Sequence, residues 1–277
     1  MILFPNCKIN LGLNILYKRP DGYHALETVF YPVPLCDMLE IVTMPRQEPS
    51  QQIPFSMSGL DIEGHPGSNL CLKAYRLLKN DHPALPKVKM HLHKIIPSGA
   101  GLGGGSADAA FTLKLLNEKF KLGLSREQLI HYALQLGSDC PFFIINSPCF
   151  AQGRGEMLEP VSLDLSGYRI LIINPGIHIN TSNAFMNIVP ERPGHSLKEK
   201  ILLPVADWKQ AISNDFEKVI FEQYPEVGRI KEELYKGGAI YASMSGSGST
   251  LFGLFEKGQP IEFRKQPHWF SRELDLS

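Results

Sequence analysis

At residues 97–108 the chain reads Pro97-Ser98-Gly99-Ala100-Gly101-Leu102-Gly103-Gly104-Gly105-Ser106-Ala107-Asp108. Glycine lets the backbone adopt positive φ and lets another molecule come close to the peptide N–H groups. Alternating apolar residues before this stretch predict a strand, and apolar residues at helical spacing after it predict a helix. A glycine loop that opens a helix is a ready anion site, because the N–H groups of the first turn are unpaired and carry the positive end of the helix dipole. The stretch therefore predicts a phosphate-binding loop.

Other glycine motifs fit this stretch less well. Gly99–Gly104 matches G-x-G-x-x-G, but a dinucleotide-binding fold needs a second strand ending in an acidic residue about 20 residues on, and residues 118–127 read as a loop. A Walker A loop ends in Gly-Lys-Ser/Thr, and Gly105-Ser106-Ala107 lacks the lysine. A simple tight turn needs one or two glycines, whereas five are present together with Ser98 and Ser106. We therefore favour a phosphate-binding loop that is neither a dinucleotide-binding motif nor a Walker A motif, and that is more than a simple tight turn.

The composition excludes several classes of protein. The chain has 277 residues, 28 basic and 28 acidic, with no basic run interleaved with aromatic residues, so a nucleic-acid polymer is not an expected partner. No secretory signal and no apolar run of membrane-spanning length is present. Five widely spaced cysteines without a C-x-x-C pair or a metal-ligand spacing favour a reducing compartment. We expect a cytoplasmic protein without membrane partners, as a monomer or weak homodimer.

The order of predicted elements indicates an α+β protein with two domains, residues 1–155 and 156–277. Residues 7–15 alternate with a period of two, which predicts a strand with Lys8 and Asn10 on one non-core face. Arg19-Pro20-Asp21-Gly22 predicts a turn. Further strands are predicted near residues 25–33, 38–43 and 169–173. Residues 240–244 and 250–255 are predicted to form a hairpin, and residues 45–54 a surface loop.

Helix boundaries follow from capping residues and helical spacing. Ser68 is predicted to cap a helix that carries Leu70, Ala74, Leu77 and Leu78. Ser125 and Gln128 predict a capping box for a second helix that stops at Gly137. Three more helices are predicted near residues 182–188, 205–224 and 226–236.

Three segments together resemble the GHMP kinase family. Pro97–Ala107 is similar to its phosphate-binding motif, Pro5–Leu11 to its N-terminal strand motif, and Met244–Thr250 to its C-terminal glycine motif. The segments follow the order of the family and span nearly the whole chain. The resemblance implies a two-domain architecture, with an N-terminal ribosomal-protein-S5-like α/β domain and a C-terminal ferredoxin-like domain. It also implies ATP-dependent transfer of a phosphoryl group to an alcohol.

Further residues resemble one branch of the family: Lys8–Leu11, Arg19–His24 and Leu136–Pro141. That branch implies transfer of the ATP γ-phosphoryl group to the 2-hydroxyl of a cytidine diphosphate derivative of methylerythritol, giving ADP, in the non-mevalonate route to isoprenoid precursors. By the resemblance, Asp139 is the base that takes the hydroxyl proton and Lys8 stabilises the developing alkoxide. The resemblance assigns Tyr23, His24 and Phe185 to the cytosine, with Asn10 and Thr181 as further substrate contacts.

The resemblance also assigns residues to ATP. These cofactor-binding positions are Pro97, Ser98, Gly99, Ala100, Gly101, Leu102, Gly103, Gly104, Gly105, Ser106 and Ala107, with Asn69, Lys94 and Asp108 on the adenine side. Many relatives carry a hydroxyl residue where this chain has Ala107. Mg²⁺ is expected with ATP, and its protein ligands remain unassigned because Mg²⁺ can be held mainly by phosphates and water.

Each assignment has a simpler alternative. Asp139 would also fit a helix cap ahead of Pro141, Lys8 a solvated strand lysine, and Phe185 a core residue of a short helix. Ser245–Ser249 is expected to pack against the phosphate loop, or else to be a flexible hairpin loop. A kinase of homoserine or mevalonate and a non-catalytic nucleotide-binding regulator are the competing functions. The first offers no base for Tyr23 and His24 to stack on, and the second would not need Lys8 and Asp139.

Overall fold

The computed structural model of the chain describes residues 1–45, 53–61, 66–191 and 193–276. Within these residues the strands are β1 (Ile2–Leu3), β2 (Asn6–Lys18), β3 (His24–Cys36), β4 (Met38–Thr43), β5 (Phe55–Gly59), β6 (Val88–Lys94), β7 (Cys149–Gly153), β8 (Met157–Pro160), β9 (Tyr168–Asn174), β10 (Tyr241–Met244), β11 (Leu251–Glu256) and β12 (Phe270–Asp275). The α-helices are α1 (Leu70–Asp81), α2 (Gly104–Phe120), α3 (Arg126–Leu136), α4 (Cys140–Ile145), α5 (Thr181–Met186), α6 (Leu197–Lys200), α7 (Trp208–Ala211), α8 (Phe216–Gln223) and α9 (Pro225–Lys236).

The chain forms two compact units that are each discontinuous in sequence. The first contains 1–7, 35–98 and 103–147, and the second contains 8–34, 99–102 and 148–276. The glycine-rich stretch therefore passes from the second unit to the first after Leu102. The sequence boundary between domains 1–155 and 156–277 stays a prediction. Most of the loop predicted at 45–54 lies outside the described residues.

The first unit is built on a four-stranded sheet in the order β1-β4-β6-β5. β4 and β6 are antiparallel, whereas β5 runs parallel to β6. Val88, Met90 and Leu92 are fully buried on one face of β6, as the alternation predicts. Helices α1 and α2 pack against each other, and α2 also contacts β4 and β1. Along the chain, the glycine loop therefore connects the end of β6 to the start of α2.

The N-caps predicted for two helices can be compared with the observed N-caps. The box at Ser125 and Gln128 is present, and its helix ends at Gly137 as predicted. The cap predicted at Ser68 is wrong, since Ser68 ends a short 3₁₀ turn and Asn69 caps α1 by accepting from the N–H of Cys71 at 2.9 Å. Both residue types suit an N-cap, and the preceding 3₁₀ turn moves the first helical residue one position on.

The second unit contains two sheets. β2-β3-β7-β8 form one, and β10-β11-β9-β12 form an antiparallel other. The predicted turn is present, with the N–H of Gly22 donating to the carbonyl of Arg19 at 3.1 Å and Gly22 at φ +86°. The hairpin predicted around Ser245–Ser249 is confirmed as β10 and β11. Helices α8 and α9 supply Phe216, Ile220, Val227, Ile230 and Leu234 to a core that also receives β2, β9 and β11.

The helix predicted over residues 205–224 is interrupted. A 3₁₀ turn and α7 end at Ala211, and α8 begins only at Phe216. Between them, the carbonyl of Ser213 accepts from the N–H of Leu13, and the N–H of Asp215 donates to the carbonyl of Leu13. These residues bond to β2 as an added parallel bridge, so their backbone groups are not available to a continuous helix. Among the described residues, no helix is long and apolar enough to cross a membrane.

Candidate functional site

The backbone of the glycine loop alternates in handedness. Gly99, Gly101 and Gly103 have φ of +64°, +77° and +69°, whereas Ala100 and Leu102 between them are not among the residues with positive φ. Alternation of this kind turns successive N–H groups toward one concave side, the arrangement called an anion-binding nest. Gly103 is also the N-cap of α2 and has no side chain to satisfy the first turn. The loop therefore has the local geometry predicted for phosphate.

Gly101 is where another part of the second unit approaches the loop. A Cβ built on Gly101 would lie 2.0 Å from the carbonyl oxygen of Ser245, so only glycine fits. The hydroxyl of Ser245 donates to the carbonyl of Gly101 at 2.8 Å. Ser245, Ser249 and Thr250 are fully buried, which contradicts the flexible-hairpin alternative and confirms the packing of this turn against the loop.

Lys8 reaches the same carbonyl from β2. Its ammonium donates to the carbonyl of Gly101 at 3.0 Å and to Oδ1 of Asn10 at 2.5 Å. The side chain is 3 % exposed and its ammonium lies 4.9 Å from the ring centre of Phe30. Lys8 is therefore a buried cation at the glycine loop rather than a solvated strand lysine. Because an amine is expensive to bury, its place beside the loop points to a functional role.

Asn10 connects Lys8 to residues that the sequence did not single out. Its Nδ2 donates to the hydroxyl of Thr28 at 2.9 Å, and Thr28 donates to the carbonyl of Gly12 at 2.6 Å. The backbone N–H of Asn10 also donates to the hydroxyl of Ser245 at 3.3 Å. With the amide so oriented, its oxygen faces the ammonium of Lys8. Thr28 gives no sequence signal, because a threonine in a strand is ordinary.

Asn214 holds the turn between β10 and β11 through hydrogen bonds to its backbone. Its Nδ2 donates to the carbonyls of Met244 and Gly246, at 2.7 and 2.8 Å. Its Oδ1 accepts from the N–H of Phe216 at the start of α8. Asn214 thus fixes the backbone on either side of Ser245, and it lies in the interrupted segment that the helical prediction missed.

Asp139 directly precedes α4 in the first unit. It occupies the N-cap position and is half-buried, but within the described chain its carboxylate makes no capping hydrogen bond to the first turn. The helix-cap alternative therefore lacks its expected contact. Burial, with a further contribution from the Asp139 charge, raises the pKa of the neighbouring Cys140 thiol to about 12. The role of Asp139 as a base, and its pairing with Lys8, stay predictions.

Two of the three predicted cytosine residues, His24 and Phe185, meet in the second unit. The rings of His24 and Phe185 stack at 5.0 Å with an interplanar angle of 14°. Phe185 also meets Phe216 edge-on at 4.9 Å, so this partly buried ring packs on the core as well as on His24. Desolvation, assisted by the charge of Lys18, lowers the pKa of His24. A neutral imidazole with one donor and one acceptor nitrogen is therefore favoured at neutral pH.

Tyr23 and Thr181 lie at the surface of this unit. Tyr23 is 57 % exposed, and the guanidinium of Arg154 lies 5.0 Å from the centre of its ring. The hydroxyl of Thr181 is 2.9 Å from that of Ser247. Arg154 was missed by the sequence reasoning, because it lies on the β7–β8 turn, far from Tyr23 along the chain.

The predicted adenine-side residues are occupied by contacts within the first unit. Asn69 caps α1, as described above, and its Nδ2 lies 3.7 Å from the sulfur of Met57. The ammonium of Lys94 donates to carboxylates of Asp108, at 2.7 Å, and Asp37. Desolvation raises the pKa of Asp108 to about 7, and the Asp37 charge adds to the shift against the opposing effect of Lys94. Direct contact of Asn69, Lys94 or Asp108 with adenine stays a prediction.

Comparison with known proteins adds independent findings. The model of the GHMP kinase N-terminal domain matches residues 69–147, and that of the GHMP kinase C-terminal domain matches residues 203–266. A 4-diphosphocytidyl-2-C-methyl-D-erythritol kinase of Bacteroides fragilis is 57 % identical over 261 residues, which cover 94 % of each chain. The enzyme of the same name from Bacteroides thetaiotaomicron is 57 % identical over 256 residues, 92 % of each chain.

Solved structures agree with these relatives. A crystal structure of 4-(cytidine 5'-diphospho)-2C-methyl-D-erythritol kinase matches with a TM-score of 0.78 at 30 % identity, covering 92 % of this chain and 90 % of the other. Mevalonate kinase of Methanococcus jannaschii matches with a TM-score of 0.68 over 100 % and 98 % of the two chains. Its identity of 13 % shows a shared fold alone.

The protein is an ATP-dependent small-molecule kinase of two-domain α+β architecture, as predicted. The ribosomal-protein-S5-like and ferredoxin-like descriptions of its parts stay predictions. The chain belongs to the GHMP kinase family, in the branch of the 4-diphosphocytidyl-2-C-methyl-D-erythritol kinases.

Proposed function

We propose that this chain transfers the γ-phosphoryl group of ATP to the 2-hydroxyl of 4-diphosphocytidyl-2-C-methyl-D-erythritol, giving the 2-phosphate and ADP. The observation that carries the proposal is the buried ammonium of Lys8, bonded at once to Asn10 and to the carbonyl of Gly101. A cation tied to the glycine loop is positioned to stabilise charge that develops during phosphoryl transfer. The reaction belongs to the non-mevalonate route to isoprenoid precursors, as the resemblance of the sequence implies.

Lys8 and Asp139 share the acid–base chemistry in this proposal. Asp139 accepts the proton of the attacking hydroxyl, which makes the oxygen a better nucleophile. Lys8 lowers the energy of the alkoxide that forms. Asn10 holds the Lys8 ammonium and directs it toward the reacting oxygen.

The stacked rings of His24 and Phe185 support a nucleobase-containing acceptor. Flat aromatic faces bind a base by stacking, and a neutral histidine can hydrogen-bond to its edge. Tyr23 and Thr181 are assigned to the same acceptor, because Tyr23 adjoins His24 in sequence and Thr181 lies one helical turn before Phe185 on α5. Homoserine and mevalonate carry no ring for these residues to bind, so the cytidine diphosphate compound is the better acceptor.

ATP is proposed to bind along Pro97–Ala107 with Mg²⁺. The alternating backbone of this loop and the open first turn of α2 supply N–H donors for phosphate oxygens. Within the described residues no three His, Cys, Asp or Glu side chains are grouped to hold a metal ion. Mg²⁺ needs no such cage, because it commonly keeps several waters and binds substrate phosphates. We further propose a cytoplasmic enzyme that is a monomer or weak homodimer.

The direct test is a coupled assay of ADP release with MgATP and three acceptors: the cytidine diphosphate compound, homoserine and mevalonate. We expect turnover with the first alone. Turnover only with homoserine or mevalonate would refute the proposed acceptor. Asp139→Asn should lose transfer by about 10²–10⁴-fold while ATP still binds, because the amide cannot take the proton. Full activity of that variant would remove Asp139 from the proposed role.

A further inference from the structure

One buried cluster in the first unit touches both the entry to the glycine loop and the helix that follows it. Oδ1 of Asp37 accepts from the backbone N–H groups of Ile95 and Ile96, at 2.6 and 2.9 Å. Its other oxygen accepts from Lys94, whose ammonium also donates to Asp108 on α2 at 2.7 Å. The three ionisable side chains are at most 4 % exposed.

Burying three ionisable groups is not an efficient route to stability. Apolar residues of similar volume often serve as well or better, so a buried ionic cluster calls for another explanation. The location of the cluster supplies such an explanation. Asp37 bonds the two residues that leave β6, and Asp108 is the fifth residue of α2. The contacts therefore fix the chain on each side of the loop.

Packing at the start of α2 strengthens this connection. A Cβ built on Gly104 would lie 2.9 Å from Cγ2 of Ile96 and 3.4 Å from the ammonium of Lys94. The first residue of the helix thus packs against Ile96, whose backbone Asp37 holds, and lies near the Lys94 ammonium that Asp37 binds. A displacement of Ile96 or Lys94 would be transmitted to the helix N-terminus, because close-packed interiors transmit strain.

We propose that Asp37 is a positioning residue for the ATP-binding loop, acting on Ile95 and Ile96 directly and on the first turns of α2 through Lys94 and Asp108. This inference rests on the proposed binding of ATP at that loop. With the loop ends held in place before ATP arrives, less ordering has to occur on binding, and affinity is higher.

The charges of the cluster give the inference a pH signature. The titratable groups that face Asp108 are Lys94 of β6, Asp37 ahead of β4 and the Cys71 thiol of α1. Because the pKa of Asp108 is raised to about 7, the cluster is near neutral below that pH and carries one net negative charge above it. An added negative charge close to a phosphate site disfavours ATP. ATP affinity should therefore weaken as pH rises from about 6 to about 8.

The test measures ATP binding by calorimetry, with activity assays beside it. Asp37→Asn keeps an oxygen for Ile95 and Ile96 and removes the charge that pairs with Lys94. We expect the lost hold on Lys94 to outweigh the removed negative charge, so that its Kd and KM for ATP rise about tenfold, the lower end of the loss for a charged hydrogen bond, with the KM of the acceptor unchanged. Tyr132→Phe is the matched control: it removes a 2.7 Å hydrogen bond to Asp81 in the same unit, away from the loop. It should lower Tm and leave the ATP Kd unchanged.

Asp108→Asn provides a second measurement that does not depend on Asp37 variants folding. The amide cannot ionise, so the fall in ATP affinity between pH 6 and 8 should be smaller than in the wild type. Equal slopes would overturn the proposal, and so would an unchanged ATP Kd in folded Asp37→Asn or an equal loss in Tyr132→Phe. If the wild type binds ATP and shows the Asp37 effect but does not phosphorylate the cytidine diphosphate compound, only the proposed acceptor fails.

Discussion

Lys8 and Asn10 lie two residues apart on β2, and their side chains meet through a 2.5 Å hydrogen bond from the ammonium to the amide oxygen. Residues at this spacing project from one face of a strand, so the backbone brings them together without a turn or loop. The amide in turn donates to Thr28 on β3, which sets which of its atoms faces the lysine. The orientation of the Asn10 amide beside the proposed catalytic cation is thus determined within one sheet.

Lys8→Met tests this cation. Methionine keeps most of the side-chain volume but cannot donate to Gly101 or stabilise a developing alkoxide. We expect kcat to fall about 10²–10³-fold, as for removal of one electrostatic donor, with a smaller change in the Kd for ATP. Lys209→Met, at an exposed position, is the control and should retain activity. A Lys8→Met enzyme within threefold of the wild type would contradict the assignment.

Gly101 and Gly105 form a matched pair within the glycine loop. Gly101→Ala forces a left-handed residue with its Cβ 2.0 Å from the carbonyl oxygen of Ser245, whereas the Cβ of Gly105→Ala has its nearest neighbour at 3.9 Å. The left-handed backbone alone costs about 1–2 kcal/mol, and the clash adds to it. Gly101→Ala should therefore lower Tm by at least about 4 °C. Gly105→Ala should leave Tm unchanged or raise it, since alanine favours a helix. Equal melting temperatures would contradict the tight contact with Ser245.

Phe185→Ala should act on the acceptor and not on ATP. The variant loses the ring that stacks on His24, and a stacked base is worth about 1–3 kcal/mol. We expect the KM of the cytidine diphosphate compound to rise at least about tenfold in steady-state assays, with the KM of ATP unchanged. Met186→Ala changes the next residue of the same helix, which is 73 % exposed, and should change neither constant. A proportional rise in both KM values would point to lost packing instead.

Asp108 makes the free energy of unfolding depend on pH in a known direction. Its pKa rises from 3.8 to about 7 on folding, so between these values the native state holds a proton that the unfolded chain has released. The stabilising contribution of Asp108 to the free energy of unfolding is fully present below pH 3.8 and is lost as pH rises toward 7. Denaturant unfolding of the wild type and Asp108→Asn should show stability of the wild type falling relative to the variant across this window. A constant difference would show that Asp108 stays ionised in the folded protein.

The local rules of sequence predicted much of the fold. Alternation identified β2 and β6, and the capping box identified α3, because these signals depend on neighbours in sequence. The helix over 205–224 failed because residues 213–215 bond to Leu13, about 200 residues away. A non-local backbone pairing leaves no mark on helical spacing, so tertiary structure overrode the local preference.

The sequence predicted the site residues that lie in recognisable motifs. It did not predict the residues elsewhere in the chain that hold those motifs in place. Lys8, Asn10 and the glycines stand in segments that resemble a family. Thr28, Asp37 and Asn214 hold those segments through hydrogen bonds from distant parts of the chain. Threonine, aspartate and asparagine are common in strands, turns and loops, so their identity alone gives no reason to single them out.

The depth at which Lys8 lies has a practical consequence for handling the protein. Amine-reactive labels and resins modify accessible lysines first, and Lys8 and Lys94 are only 3 % and 2 % exposed. Exposed amines such as those of Lys209 and Lys265 would react ahead of them. Random lysine coupling to a sensor surface should thus spare the two amines at the glycine loop, leaving immobilised protein suitable for nucleotide-binding measurements.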